Sequence, residues 1–174
     1  MSQKISCERN LGKPIRNAKI WDQIRSYHKY SEFVPCIESI IQENSCPSIS
    51  EWIINIDGAP LSWQQLDSFE SQNGCLKFEL TNGDFDQLYG QWNVEPTSEP
   101  NQFRISLQLE YSLGIPVIED ILGNIIQEKL TSFTNSMVEA HIKKIEESYV
   151  DERKFKRLIV GSPVLFTIDN QKAS

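Results

Sequence analysis

A curved antiparallel sheet wrapped around one long C-terminal helix, an α+β arrangement, is the architecture this sequence predicts, and three patterns predict it. Apolar and polar residues alternate from Cys36 to Tyr111, with turn dipeptides at Asp57-Gly58, Asn73-Gly74 and Asn82-Gly83 between the strand-like runs. After Gly114-Ile115-Pro116 the apolar period becomes helical, and Ile118, Ile121, Leu122, Ile125, Ile126, Leu130, Phe133, Met137, His141 and Ile145 fall on one stripe. Such a stripe has to be buried, and the inner face of the meander is the large apolar surface available to it.

The elements follow in chain order. Gln3 to Glu8 alternates weakly, as an opening strand does. Asn17 is a plausible N-cap for a short helix through Trp21, Ile24 and Arg25, and the run Tyr27, His28, Tyr30, Phe33, Val34, Pro35 reads as an aromatic corner joining it to a second short helix. A two-residue loop at Asp57-Gly58 pairs Ile56 with Ala59, Ile54 with Leu61 and Trp52 with Trp63, so both tryptophans face the same way. The same rule at Asn73-Gly74 pairs Phe69 with Phe78 and Asp67 with Leu80, on one inner face with Leu76. At Asn82-Gly83 a two-residue loop would turn Tyr89 and Gln91 inward, whereas a bulged three-residue loop turns Leu88, Trp92 and Val94 inward; burial favours the second. Phe103, Ile105, Leu107, Leu109 and Tyr111 form a half-buried last strand. Glu119 and Asp120 suit the positive end of the long helix and Lys143 and Lys144 its negative end, near Ser148.

Composition narrows the function. The 174 residues carry a net charge of -7, with 39% hydrophobic and 24% charged residues, which is room for one globular domain. An acidic balance argues against a nucleic-acid partner, since phosphate affinity comes from clustered Lys and Arg. No run is long and apolar enough to span a bilayer, and the first residues lack the apolar stretch of a secretory signal, so no integral membrane association and a cytoplasmic location are expected. Four cysteines (Cys7, Cys36, Cys46, Cys75) and two histidines 113 residues apart lack the close pairing of a zinc site. GxGxxG, Walker and GxSxG motifs are missing. No cofactor is expected.

The string WDQIRSYHKYSEFVP (Trp21 to Pro35), Trp63 with Asp67, GDF (Gly83 to Phe85), GQW (Gly90 to Trp92) and YSLGIP (Tyr111 to Pro116) resemble the polyketide cyclase/dehydrase branch of the START-like, helix-grip superfamily. The resemblance covers roughly residues 3 to 148, so residues 1–149 are taken as the domain and 150–174 as an extension. It implies a helix-grip fold with two short helices after the first strand, enclosing a deep hydrophobic cavity lined by the inner face. It also implies polyketide cyclase or aromatase-like chemistry on a hydrophobic, carbonyl-containing metabolite, in which acid/base groups promote cyclisation or dehydration. The alternative from the same superfamily is a non-catalytic carrier of a lipid, quinone or pigment. An acyl carrier protein or another biosynthetic enzyme is the partner such a cyclase implies. Some of those enzymes depend on a cavity arginine; here Lys29 and Lys77 are the only Lys or Arg between Arg25 and Arg104, and Lys77 alternates away from the inner face.

Among the residues of that face, Gln65 and Asp67 stand out. A carboxylate facing an apolar cavity has a raised pKa and can shuttle protons near neutrality, whereas at an open rim it would be hydrated or paired. His141 on the helix stripe is a candidate general base or a satisfied boundary histidine. Tyr111 can donate to a ligand oxygen or close the core. The catalytic candidates are therefore Asp67, His141 and Tyr111, and the ligand-binding candidates Trp52, Ile54, Trp63, Gln65, Phe69, Phe78, Leu107 and Leu130. Gln65 would orient a ligand carbonyl or satisfy the backbone, and the tryptophans would stack on a planar ligand or fill the core. Residues from Val150 onward have five basic and three acidic side chains, with a cluster at Arg153, Lys154, Lys156 and Arg157, suited to docking on an acidic carrier protein or an anionic membrane, or to solvation. The apolar pieces Leu158 to Val160 and Val164 to Ile168 are expected to fold back or bind a partner.

Overall fold

The turn at Asp57-Gly58 sets the frame of the molecule. Both residues have positive φ (52° and 87°), the geometry of a tight hairpin whose twist matches its strands. Strands β3 (Ser48–Ile56) and β4 (Ala59–Glu70) pair from it with Ile56 opposite Ala59, Ile54 opposite Leu61 and Trp52 opposite Trp63, as the sequence predicts. The computed structural model describes residues 2–45 and 47–160. Around this hairpin stand β1 (Gln3–Asn10), α1 (Asn17–Arg25), a 3-10 turn (Tyr27–Lys29), α2 (Tyr30–Phe33), β2 (Ile37–Gln42), β5 (Cys75–Gly83), β6 (Gln87–Pro96), β7 (Phe103–Ser112) and α3 (Pro116–Val160). The seven strands form one antiparallel sheet in the order β1-β7-β6-β5-β4-β3-β2. This is the helix-grip fold, with two short helices after the first strand and one long helix at the end.

The structure corrects several details. Arg16, not Asn17, occupies the N-cap of α1, and it makes no side-chain capping bond. The β4–β5 connection is four residues long, so Phe69 pairs with Leu76, Asp67 with Phe78 and Gln65 with Leu80, a slip of two residues from the expected register. A slip of two leaves every side chain on its expected face, because the strand period is two. Asn82-Gly83 is not a hairpin turn at all: β5 leaves β6 after Glu79 and continues along β4 to Gly83, with Thr81 bulged out. Gly83 is required there, since a Cβ would lie 2.5 Å from Trp63 Cα. Leu88, Trp92 and Val94 do face inward.

Helix α3 lies against β1, β7 and α1 and continues past Ser148 without a break to Val160. From Leu130 to Ile145 its stripe is buried, with Leu130, Phe133, Met137, Val138, His141 and Ile145 in the core. Ile118, Ile121, Leu122 and Ile125 are on the same stripe but exposed, Ile121 by 71%, because the helix meets the sheet only beyond them. An ion pair between Lys129 and Asp57 ties the helix to the β3–β4 turn. Arg153, Lys154, Lys156 and Arg157 are exposed on its last turns. Val164 to Ile168, and the side chains of Leu158 to Val160, lie outside the described residues.

Candidate functional site

Alternation along β3 and β4 puts Ser50 and Trp52, and Trp63, Gln65 and Asp67, on the concave face. Register places Trp52 opposite Trp63 and Ser50 opposite Gln65, and the indoles stack with centroids 5.5 Å apart at 13°. Each indole N–H is then satisfied by a neighbour two residues away: Trp52 Nε1 donates to Ser50 Oγ at 2.9 Å, and Trp63 Nε1 donates to Gln65 Oε1 at 2.7 Å. Both chains end on one carboxylate. Ser50 Oγ donates to Asp67 Oδ2 at 2.5 Å and Gln65 Nε2 to Oδ1 at 2.6 Å, while the Tyr27 hydroxyl reaches across from the 3-10 turn to Oδ1 at 3.0 Å. Asp67 is 4% exposed and fully engaged by these donors, with its outer side at the edge of an open cleft beside α1. Burial pushes its carboxyl up from the ordinary aspartate value, and the three donors partly oppose that shift.

Above the tryptophans lies a cavity bounded by Tyr27, Ile54, Gln65, Phe78, Phe85, Leu88, Trp92, Leu107, Leu109, Tyr111, Leu130, Phe133 and Met137. Its free volume is about 30 Å3, room for a water or two and far less than the deep cavity the resemblance implies. Side chains fill it. Gly90 lets the Phe78 ring lie directly on the backbone of β6, since a Cβ there would be 2.2 Å from Phe78 Cζ. Gln65, Tyr27 and Tyr111 supply the polar atoms of this wall. The hydroxyl of Tyr27 and the amide of Gln65 are committed to Asp67, whereas the buried Tyr111 hydroxyl has no hydrogen-bond partner among the described residues. Burial, with Glu119 nearby, raises the Tyr111 pKa, so the group is a neutral donor.

The structure therefore brings Trp52, Ile54, Trp63, Gln65, Phe78, Leu107, Tyr111 and Leu130 to one cavity. Phe69 is elsewhere: its ring packs on Trp21 and lies under the Arg25 guanidinium, 4.2 Å from the centroid, in a cleft on the outer side of the α1 corner. His141 does not line the cavity. Its Nδ1 donates to the Met137 carbonyl at 2.6 Å, its ring is packed by Tyr30, Phe33 and Trp92, and Nε2 is buried with no partner among the described residues. Burial lowers its pKa to about 4, so it is neutral at physiological pH. Asp67 reaches the cavity through Gln65 and Tyr27. Tyr27 and Ser50 are the polar site residues that the sequence reading missed, along with the cavity-lining Phe85, Leu88, Trp92, Leu109, Phe133 and Met137. Among the described residues no group of three or more His, Cys, Asp or Glu converges as a metal site would, and no helix is long and apolar enough to cross a membrane.

A family model described as polyketide cyclase/dehydrase and lipid transport matches residues 14–138, most of the chain and all of the corner and cavity just described. The chain belongs to this family. No curated protein matches it. Among solved structures, the protein TTHA0849 from Thermus thermophilus is similar at a TM-score of 0.75 and 20% identity, over 84% of this chain and 99% of that one. The Zhui aromatase/cyclase of a Streptomyces species gives a TM-score of 0.73 at 9% identity, over 84% and 94%. A norcoclaurine synthase point mutant from Thalictrum flavum, solved with a transition-state analogue, gives 0.67 at 15% identity, over 86% and 97%. At these identities the likeness is one of fold.

Proposed function

We propose that this family member binds a hydrophobic, carbonyl-containing metabolite between the sheet and α3 and promotes its cyclisation or dehydration. The observation that carries this reading is the Tyr111 hydroxyl, a buried donor with no partner among the described residues, in a mostly apolar and aromatic wall whose other polar groups, Tyr27 and Gln65, are bonded to Asp67. Leaving such a group unpaired costs about 1–3 kcal/mol, which a ligand oxygen would recover on binding. Donation to a carbonyl oxygen also stabilises the enolate that forms when a neighbouring C–H is deprotonated, the step shared by aldol closure and dehydration. The ligand has to displace side chains, and the unbranched Met137 on α3, which borders the cavity, is the one best able to adapt. Delivery by an acyl carrier protein or a neighbouring enzyme belongs to this reading.

A second reading, a non-catalytic carrier of a lipid, quinone or pigment, is favoured by one observation. Among the described residues no carboxylate or imidazole borders the cavity: Asp67 lies behind Gln65 and Tyr27 and holds three donors, and His141 is sealed away. Native mass spectrometry of the purified protein, with identification of any released molecule, separates the two. Retained stoichiometric cargo supports the carrier. Loss of turnover on linear poly-β-ketone substrates in Tyr111→Phe, with the fold intact, supports the cyclase, and full turnover in that variant refutes the role given to Tyr111.

A further inference from the structure

The wall at Tyr27 separates two spaces. On one side is the internal cavity; on the other is an open cleft of about 530 Å3 beside α1, bordered by Arg25, His28, Ser48 and Phe69. Tyr27 borders both spaces, whereas Asp67 borders the outer cleft alone and Gln65 the cavity alone. The Tyr27 hydroxyl donates to Asp67 Oδ1 at 3.0 Å, so the bond itself crosses the wall. Ser50 and Gln65 hold the carboxylate from two other directions and fix which oxygen faces the tyrosine. A buried carboxylate on a packed core face is rare unless its charge is used or fully paired, and this one has no cationic partner among its hydrogen bonds.

The geometry points to Tyr27 and Asp67 as the route by which a proton leaves the closed cavity: Tyr27 is the catalytic residue at the ligand, and Asp67 acts through it. This rests on the binding reading above and supplies the proton acceptor that the cavity wall lacks. The C–H bond next to the ligand carbonyl breaks, its electron pair stays on the ligand as an enolate held by Tyr111, and the proton goes to the Tyr27 oxygen as the tyrosine's own proton passes to Asp67 Oδ1. Asp67 then exchanges that proton with water in the outer cleft, so no oxidant, metal or second substrate is involved. Reversal of the same steps in heavy water returns a deuteron to the ligand carbon.

Deuterium wash-in tests this with a defined probe, 2-tetralone, a hydrophobic ketone with acidic protons beside its carbonyl. Binding is read from the fluorescence of Trp52, Trp63 and Trp92, which border the cavity, and exchange from the proton NMR signals of the ketone in D2O. The wild-type protein is expected to speed exchange by roughly a hundredfold over buffer, within the usual range for a positioned acid–base group. Tyr27→Phe and Asp67→Asn are expected to bind the ketone normally and lose that acceleration, and Asp67→Glu to regain part of it. A merely structural role would weaken binding and exchange together and would not be rescued by the longer acid. Binding without accelerated exchange in the wild type, or undiminished exchange in Asp67→Asn, overturns the relay while leaving the binding reading standing. Absence of any binding overturns the binding reading and the relay with it.

Discussion

Two polar regions of the same concave face differ in how completely they are satisfied. On the β3–β4 side, Tyr27, Ser50, Trp52, Trp63 and Gln65 form a converging set in which each of these donors has an acceptor and Asp67 collects three of them. On the β7 side, Tyr111 presents a buried hydroxyl to the same cavity with nothing bonded to it among the described residues. The first region uses its polarity to hold the tryptophan stack and the corner in place. The second leaves one donor unused by the described residues. His141 is intermediate in this respect, with one ring nitrogen bonded and the other without a partner among the described residues, but it faces Tyr30, Phe33 and Trp92 and not the cavity.

The contrast is breakable by experiment. The largest effect is expected from Asp67→Ala, which removes the common acceptor of the buried Tyr27, Ser50 and Gln65 donors and should cost about 3 kcal/mol or more in urea unfolding. A loss below about 1 kcal/mol would mean that the network is not closed as described.

Next is acid sensitivity. His141 has a folded pKa of about 4 against an ordinary 6.5, so below pH 6.5 the unfolded chain takes up a proton that the folded one refuses. Its contribution to stability is intact above pH 6.5 and falls by about 3 kcal/mol as the pH drops towards 4. Asp67 has the opposite sign, because its raised carboxyl takes up a proton on the folded side first and offsets part of that loss. Urea unfolding at pH 7 and pH 4.5 of the wild type and of His141→Leu isolates the histidine: the variant should lose less stability on acidification.

Gly90→Ala comes third. The added Cβ would sit 2.2 Å from Phe78 Cζ and 2.7 Å from the Gln108 carbonyl oxygen, so both the Phe78 ring and the β7 backbone have to move, at a cost of about 3 kcal/mol and with a reshaped cavity. Thermal unfolding together with the change in tryptophan fluorescence would register both.

How much of this was legible in the sequence depended on what each signal encodes. Asp57-Gly58 carries its own backbone geometry, and the pairing of Trp52 with Trp63 followed from it. Asn73-Gly74 looked alike, but its loop is two residues longer; the register slipped, and the faces survived because two residues make one full strand period. Asn82-Gly83 marks a bulged strand passing close to Trp63, a packing requirement that a turn dipeptide does not announce. The stripe on α3 was read correctly as a stripe, but periodicity does not say where a helix first touches the sheet, and so Ile118 to Ile125 were expected inside and are outside. Candidate residues on the strands could be grouped because faces are local. Tyr27 could not, since its partner is 40 residues away and joined to it only by the fold. The useful hint was chemical: a buried aspartate needs donors, and a tyrosine in an aromatic corner needs an acceptor.

The smallest expected change in stability is also the most direct test of the central claim that the β7 side is kept open for a ligand oxygen. Tyr111→Phe removes a hydroxyl with no partner among the described residues, so its unfolding free energy should lie within about 0.5 kcal/mol of the wild type or above it. Its affinity for 2-tetralone, followed by tryptophan fluorescence, should fall about tenfold, the loss of one hydrogen bond. Unchanged stability with weakened binding is the predicted result. A protein destabilised by more than about 1 kcal/mol, or one that binds the ketone as tightly as before, would contradict the account.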